Sequence, residues 1–235
     1  MRFATGCVLV AVSVCLLADG CSKGISRATA ATVLFVKGNV IFGKMERNQF
    51  RPVAPRSKIP RGDIVRTSDG AVVNLALVPG AFVQVSGNSE IKIEELSLTK
   101  DGNETAGGMR DRRTRVRLSR GRVSILFSRS HTSESHFTLA TNQATISPYS
   151  DCLFSVWTEG STTRVTCAGG EVSAVGDGQR EVRIAAGYSH QWPTTAKEPI
   201  AAIAEGNAQM DIMASLEAEK QLLNQAAGWQ NRRVF

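Results

Sequence analysis

From residue 32 to residue 185 the chain is built from short runs that alternate apolar and polar residues and stop at glycine or proline, with no helical spacing between them. Successive side chains of a strand point to opposite faces, so a period of two specifies sheet. Residues 32–42 are β-branched and aromatic around Gly38. Val73, Leu75 and Leu77 alternate with Val72, Asn74 and Ala76, and residues 81–85 follow the turn signal Pro79, Gly80. Ile91 with Ile93, then residues 113–118, 123–127, 137–141, 153–158, 162–167, 172–175 and 182–185 continue the pattern. These runs predict about ten strands, hence a mainly β fold: a twisted antiparallel sheet or a solenoid-like β-roll. Residues 100–108 are polar and glycine-rich and read as a long hairpin loop.

The opening of the chain constrains where that sheet works. Met1 and Arg2 precede an apolar run at residues 8–17, which ends at Ala18, Asp19, Gly20 and Cys21. A charged start, a run too short to span a bilayer and a small-residue exit read as a signal peptide. Cleavage before Cys21 would leave a thiol able to carry a lipid, as in bacterial lipoproteins, although Asp19 replaces the usual small residue beside the scissile bond. The alternative is a secreted chain with a free N-terminal cysteine. The expected organisation is a leader at 1–20, a small polar tether at 21–31, a β-domain at 32–192 and a helical segment at 193–235. The mature chain is expected in the bacterial envelope, facing the periplasm, on the outer membrane rather than the inner. Its formal charge of +7 survives removal of Arg2 and Asp19 together. For an exported protein that balance points to anionic lipid or envelope polymers, and not to nucleic acid.

Cys7 and Cys15 leave with the leader and Cys21 is taken by lipidation, so Cys152 and Cys167 remain in an oxidising compartment. A hairpin with Glu159 and Gly160 as its two loop residues pairs Val156 with Thr163, Phe154 with Val165 and Cys152 with Cys167. A disulfide there would stabilise by about 3 kcal/mol through loop closure. Two buried thiols acting as small hydrophobes are the other solution.

Recognised catalytic and metal motifs are absent. His131, His136 and His190 are the only histidines, and none sits in a ligand or triad pattern. Glu94 and Glu95 point to opposite faces of a strand, and Asp101 and Glu104 lie in the long loop, so neither pair supplies two acids across one bond. No catalytic residue, cofactor or metal is assigned. The densest charge is Arg110, Arg112, Arg113, Arg115, Arg117, Arg120 and Arg122. Arg113, Arg115 and Arg117 share one strand face, which could hold a polyanion or could be a solvated face that guards the strand. No aromatic residue interleaves with them.

Residues 198–229 are rich in Ala, Glu, Gln and Leu, with Pro199 suited to a first helical turn. Ile212, Leu216, Leu223 and Ala226, with Met213 and Ala227, form the stripe of an amphipathic helix expected to pack on the β-domain. Coiled-coil and membrane-surface roles are the alternatives, and Lys220 within the stripe argues against a long coiled coil.

Taken in order, several landmarks resemble the FecR domain. They are Val36-Lys37-Gly38-Asn39-Val40; Arg61 to Thr67; Asn74 to Gly80 and the strand to Val85; Leu118 to Val123; Phe137 to Thr141; Phe154-Ser155-Val156; Gly169 to Val172; and Ala186-Gly187. The resemblance covers residues 33–190 and implies a twisted, mostly antiparallel envelope domain in which Gly-x-Val at Gly38, Gly121 and Gly170 feeds a strand. In the best-known members the domain is the periplasmic half of an anti-sigma regulator that follows a cytoplasmic segment and a transmembrane helix. Here a leader stands in their place, so contact with a sigma factor is not expected. Cys152 stands where the family commonly has a Gly-Thr turn. The expected function is a non-enzymatic, envelope-anchored module that recognises another protein by a sheet edge or the arginine face. The alternative is a lipopolysaccharide or peptidoglycan binder acting through Arg113, Arg115 and Arg117.

Overall fold

The computed structural model describes residues 25–100, 109–129, 134–194 and 196–230. The expected leader, Cys21, the expected loop at 101–108 and His131 lie outside the described residues. The chain forms β1 (Ile25–Ala28), β2 (Ala30–Lys37), β3 (Val40–Lys44), β4 (Gln49–Pro52), β5 (Lys58–Pro60), β6 (Ile64–Thr67), β7 (Val72–Val78), β8 (Ala81–Val85) and β9 (Glu90–Lys100). These are followed by β10 (Met109–Phe127), β11 (Glu134–Ala140), β12 (Ala144–Pro148), β13 (Cys152–Glu159), β14 (Thr162–Gly169), β15 (Glu171–Gly176), β16 (Glu181–Ala185), β17 (Tyr188–Trp192), β18 (Ile200–Ala201) and the helix α1 (Gly206–Gln230).

The strands form two curled sheets that share β10. In the first, β4, β3, β6, β9, the N-terminal half of β10, β11, β12, β15 and β16 follow one another, with β1 beside the far end of β9. In the second the order is β5, β2, β7, β8, the C-terminal half of β10, β13, β14, β17 and β18. Pairing is antiparallel except between β10 and β11, which run parallel. The mainly β expectation holds, and the antiparallel one holds with that exception. Apolar inner faces of both sheets merge into one core, with Leu75, Val83, Ile125, Phe154 and Val165 meeting Ile91, Ile93, Leu118, Leu139, Ile146 and Ile184.

The three Gly-x-Val motifs are among the places where the chain changes sheet. It passes from β2 to β3 at Gly38, bends within β10 at Gly121, and passes from β14 to β15 at Gly170. The segment 32–42 is therefore split between layers, the runs 162–167 and 172–175 are separate strands as expected, and 113–118 and 123–127 belong to one strand. A β-roll needs such corners, because a strand that turns through the core edge keeps its apolar face inward on both sheets. The polar stretch at 21–31 is not wholly a tether: from Ile25 it pairs with Ser97–Lys100 of β9.

The β13–β14 hairpin corrects the sequence register. Its two loop residues are Gly160 and Ser161, which places Thr158 opposite Thr163, Val156 opposite Val165 and Phe154 opposite Cys167. Gly160 has φ +58° and is the first loop residue, where a type II′ turn takes glycine. The expected loop put glycine second. An inward polar cluster also fixes the register, with the Thr158 and Thr163 hydroxyls 2.8 Å apart and Thr163 donating to Gln143 at 2.7 Å. The inward face of Phe154, Val165 and both cysteines is as expected, since the shift is one full pleat period. The cysteines, however, are not cross-strand partners, and both are free thiols. Cys152 instead lies against the corner at Gly170, where a Cβ would stand 2.9 Å from the Cys152 Cα.

Burial raises the pKa of both thiols, that of Cys167 to about 11, so neither is a thiolate at neutral pH. An alkylating reagent at pH 7 is therefore expected to spare both in the folded protein and to label both in denaturant without reductant. Labelling that needs a reductant would show instead that they are bonded.

The helix is shorter than expected and packs through a different face. Residues 200–204 form a short strand and a 3-10 turn, and α1 starts at Gly206 rather than near Pro199. Ala208, Asp211, Ser215, Ala218, Leu222 and Ala226 are buried on the outer face of the second sheet. Of the expected stripe only Ala226 is buried: Leu216 and Leu223 are 38% and 52% exposed, and Met213 is 64% exposed. The sheet face it covers carries Asn74, Gln84, Arg122 and Arg164, and short or polar helix residues fit that surface better than long apolar ones.

Candidate functional site

Along β10 the strand period separates the arginines. Thr114, Val116 and Leu118 point into the core, while Arg113, Arg115 and Arg117 stand on the outer face of the first sheet with side chains 57%, 54% and 40% exposed. Each is already matched. Arg113 Nε lies 2.7 Å from Asp111, Arg117 Nε 2.7 Å from Glu94, and Arg115 Nε 3.7 Å from the other oxygen of Glu94. The hydrogen bond to Asp111, more than its charge alone, raises the Arg113 pKa. Such exposed pairs are screened by water and salt, so they set the charge pattern of the face rather than its stability. His136 extends the row, 3.4 Å from Glu134 and 3.8 Å from Asp111. Among the described residues no group of side chains is placed to hold a metal.

Arg112 belongs to a different environment from its neighbours. It points inward and is 5% exposed, donating to the Pro79 carbonyl and to the Ser135 hydroxyl, the latter at 2.5 Å. Burial lowers its pKa. It ties the β7–β8 turn to the start of β11, a structural role that the basic cluster in the sequence conceals. His190 is also structural: it is buried on Trp192 with ring centroids 4.5 Å apart, and desolvation lowers its pKa.

On the other side of the molecule Asp211 fastens α1. Its carboxylate is fully buried, 2.8 Å from Arg164 Nε and 2.9 Å from Arg122 Nη2, the second contact too poorly aligned for a hydrogen bond. Thr166 donates from 3.4 Å, and Arg164 also lies over the Trp157 ring at 5.0 Å. Asn74 donates to Gln225 and Gln84 to Gln221, while Phe82 and Ala76 meet Leu222 and Ala226. None of this clamp was assigned from sequence. The available signal was a lone aspartate on the same helical line as Ala208, Ser215 and Ala218, facing two arginines whose strand neighbours are Ser124 and Thr166.

The wet face of the first sheet and the helix-covered face of the second thus divide the molecule. Residues 63–173, from the end of the β5–β6 turn into β15, match the family described as FecR protein. This stretch is similar to the FecR domain. No curated protein matches the chain. Two crystal structures of a putative anti-sigma factor from Parabacteroides distasonis ATCC 8503 are similar in part. Each is 16% identical with a TM-score of 0.42 over 61% of this chain, and the matches cover 64% and 65% of those chains, less than two thirds of their length. The FecR match contains the arginine row, the corner at Gly121, both cysteines and both arginines that hold Asp211; α1 lies beyond it. Among the described residues no helix is long and apolar enough to cross a membrane.

Proposed function

We propose that this FecR-like domain is an exported, non-enzymatic recognition module, tethered to the envelope through Cys21, that binds a protein partner over the outer face of the first sheet. The observation that carries the reading is the pairing of Arg113, Arg115 and Arg117 with Asp111 and Glu94. A face of alternating sign complements a protein surface of mixed charge, which can meet both the guanidinium and the carboxylate groups. A polyanion would gain the former and be repelled by the latter. The outer face of the second sheet is less available, because α1 occupies it.

The test is capture of envelope proteins by cross-linking, with the wild-type chain and with Arg113→Gln/Arg115→Gln/Arg117→Gln. A protein captured at moderate salt and lost by about tenfold or more in the triple variant supports the reading, as expected when several charge-assisted contacts are removed. Retention on lipopolysaccharide or peptidoglycan that collapses with salt, with no protein captured, would replace it with the polyanion reading.

A further inference from the structure

We propose that a cleft at one end of the second sheet binds an acidic sugar. The cleft has a volume of about 570 Å³, in the range of small-molecule sites. Three corners build it: the β8–β9 turn contributes Asn88, the β10 bend Arg120 and Arg122, and the β13–β14 hairpin Trp157 and Glu159. It lies apart from the arginine row and does not depend on the protein-binding reading.

The groups left unused in the cleft define the ligand. Arg122 spends one nitrogen on Asp211 and keeps 30% of its side chain exposed. Arg120, exposed on the other side of the corner glycine, makes no ion pair among the described residues. Two guanidinium groups with donors to spare suit a carboxylate. Trp157 stands directly across from Arg122 in the β10–β13 register, and the Arg164 guanidinium 5.0 Å from its ring holds the indole in place. An indole offers flat apolar area to the carbon face of a pyranose ring. Asn88 donates through Nδ2 to Asp69 at 3.0 Å, which leaves its amide oxygen as an acceptor. Glu159 adds two more.

Glu159 decides between ligand classes. A bare anion such as phosphate would be repelled by that carboxylate and would leave Asn88 and the indole without a role. A sugar acid uses every group: its carboxylate pairs with Arg120 and Arg122, its hydroxyls donate to Glu159 and Asn88, and its ring lies on Trp157.

The full chain should be titrated calorimetrically with digalacturonate, with cellobiose, acetate and a short peptide bearing a free C-terminus for comparison. Digalacturonate is expected to bind about tenfold or more tightly than cellobiose, the size of a lost charged hydrogen-bond set. Arg120→Gln, an exposed position outside the helix clamp, is expected to weaken binding by a similar factor without moving the melting temperature. Equal binding of cellobiose and digalacturonate, full affinity in Arg120→Gln, acetate binding as tightly as the sugar acid, or a preference for the peptide would each overturn the proposal. Trp157→Leu provides a second arm: loss of sugar binding with acetate binding unchanged supports the stacking role, and unchanged sugar binding contradicts it.

Discussion

Replacing Gly121 by alanine is expected to destabilise the protein by about 3–5 kcal/mol, the sum of a left-handed backbone penalty and a clash that a packed corner cannot relieve. Gly121 has φ +88°, and a Cβ there would collide with the Ser89 Oγ and stand 2.6 Å from the Ser89 Cα. Ser89 has no room to retreat. It is fully buried, its amide donates to Thr67 Oγ1 at 2.9 Å, and its own Oγ accepts from the Arg122 amide at 2.9 Å. The corner is also the one point where a single strand passes between the layers, so a local shift disturbs the register of β8 and β13 on one side and β9 on the other. A loss of that size is a large part of the roughly 5–15 kcal/mol that holds an ordinary domain folded. Gly178→Ala is the control: φ is +64° but nothing lies within 4 Å of the new Cβ, so only the backbone penalty of about 1–2 kcal/mol applies. Thermal unfolding of the two variants checks the difference, and equal melting temperatures would mean that the corner is not close-packed.

Asp211→Ala is expected to cost about 3 kcal/mol, because it leaves the Arg164 guanidinium buried without a counter-charge. The Arg164 side chain is 7% exposed, whereas Arg122, at 30%, can turn part of its charge to water. The loss should fall first on α1, whose contact with the sheet otherwise rests on a small apolar cluster around Leu222 and two amide–amide bonds. Limited proteolysis should cut within 206–230 at conditions where the β-domain stays intact. The double variant Asp211→Leu/Arg164→Met should recover most of the stability, since an apolar pair of similar size avoids the desolvation that a lone charge cannot. If Asp211→Ala melts and resists protease as the wild type does, the carboxylate is not what docks the helix.

The parts of this molecule legible in its sequence are those governed by local periodicity. Alternation in β7, β13 and β14 announced strands, and the Phe154 and Val165 face was read correctly because a full-period slip leaves the facing unchanged. The hairpin loop was misplaced by one residue, since nothing in Glu159-Gly160-Ser161 says whether glycine comes first or second until the Thr158–Thr163–Gln143 cluster is seen. Residues 113–118 and 123–127 read as two strands because Ser119-Arg120-Gly121 looks like a turn. Whether such a glycine ends a strand or bends it depends on which sheets lie to either side. The arginine row was placed on one face from sequence, but not its carboxylates, which come from Asp111 on the same strand and Glu94 across the sheet.

The class of fold and the amphipathic division of each strand are written in the amino-acid order, because both follow from steric rules that act within a few residues. What covers each sheet depends on contacts that the packed chain alone creates. The choice of Asp211, Ser215 and Ala218 over Met213, Leu216 and Leu223 as the helix face that packs depends on Arg122 and Arg164 more than forty residues away. A buried charge must find its partner wherever the fold brings it.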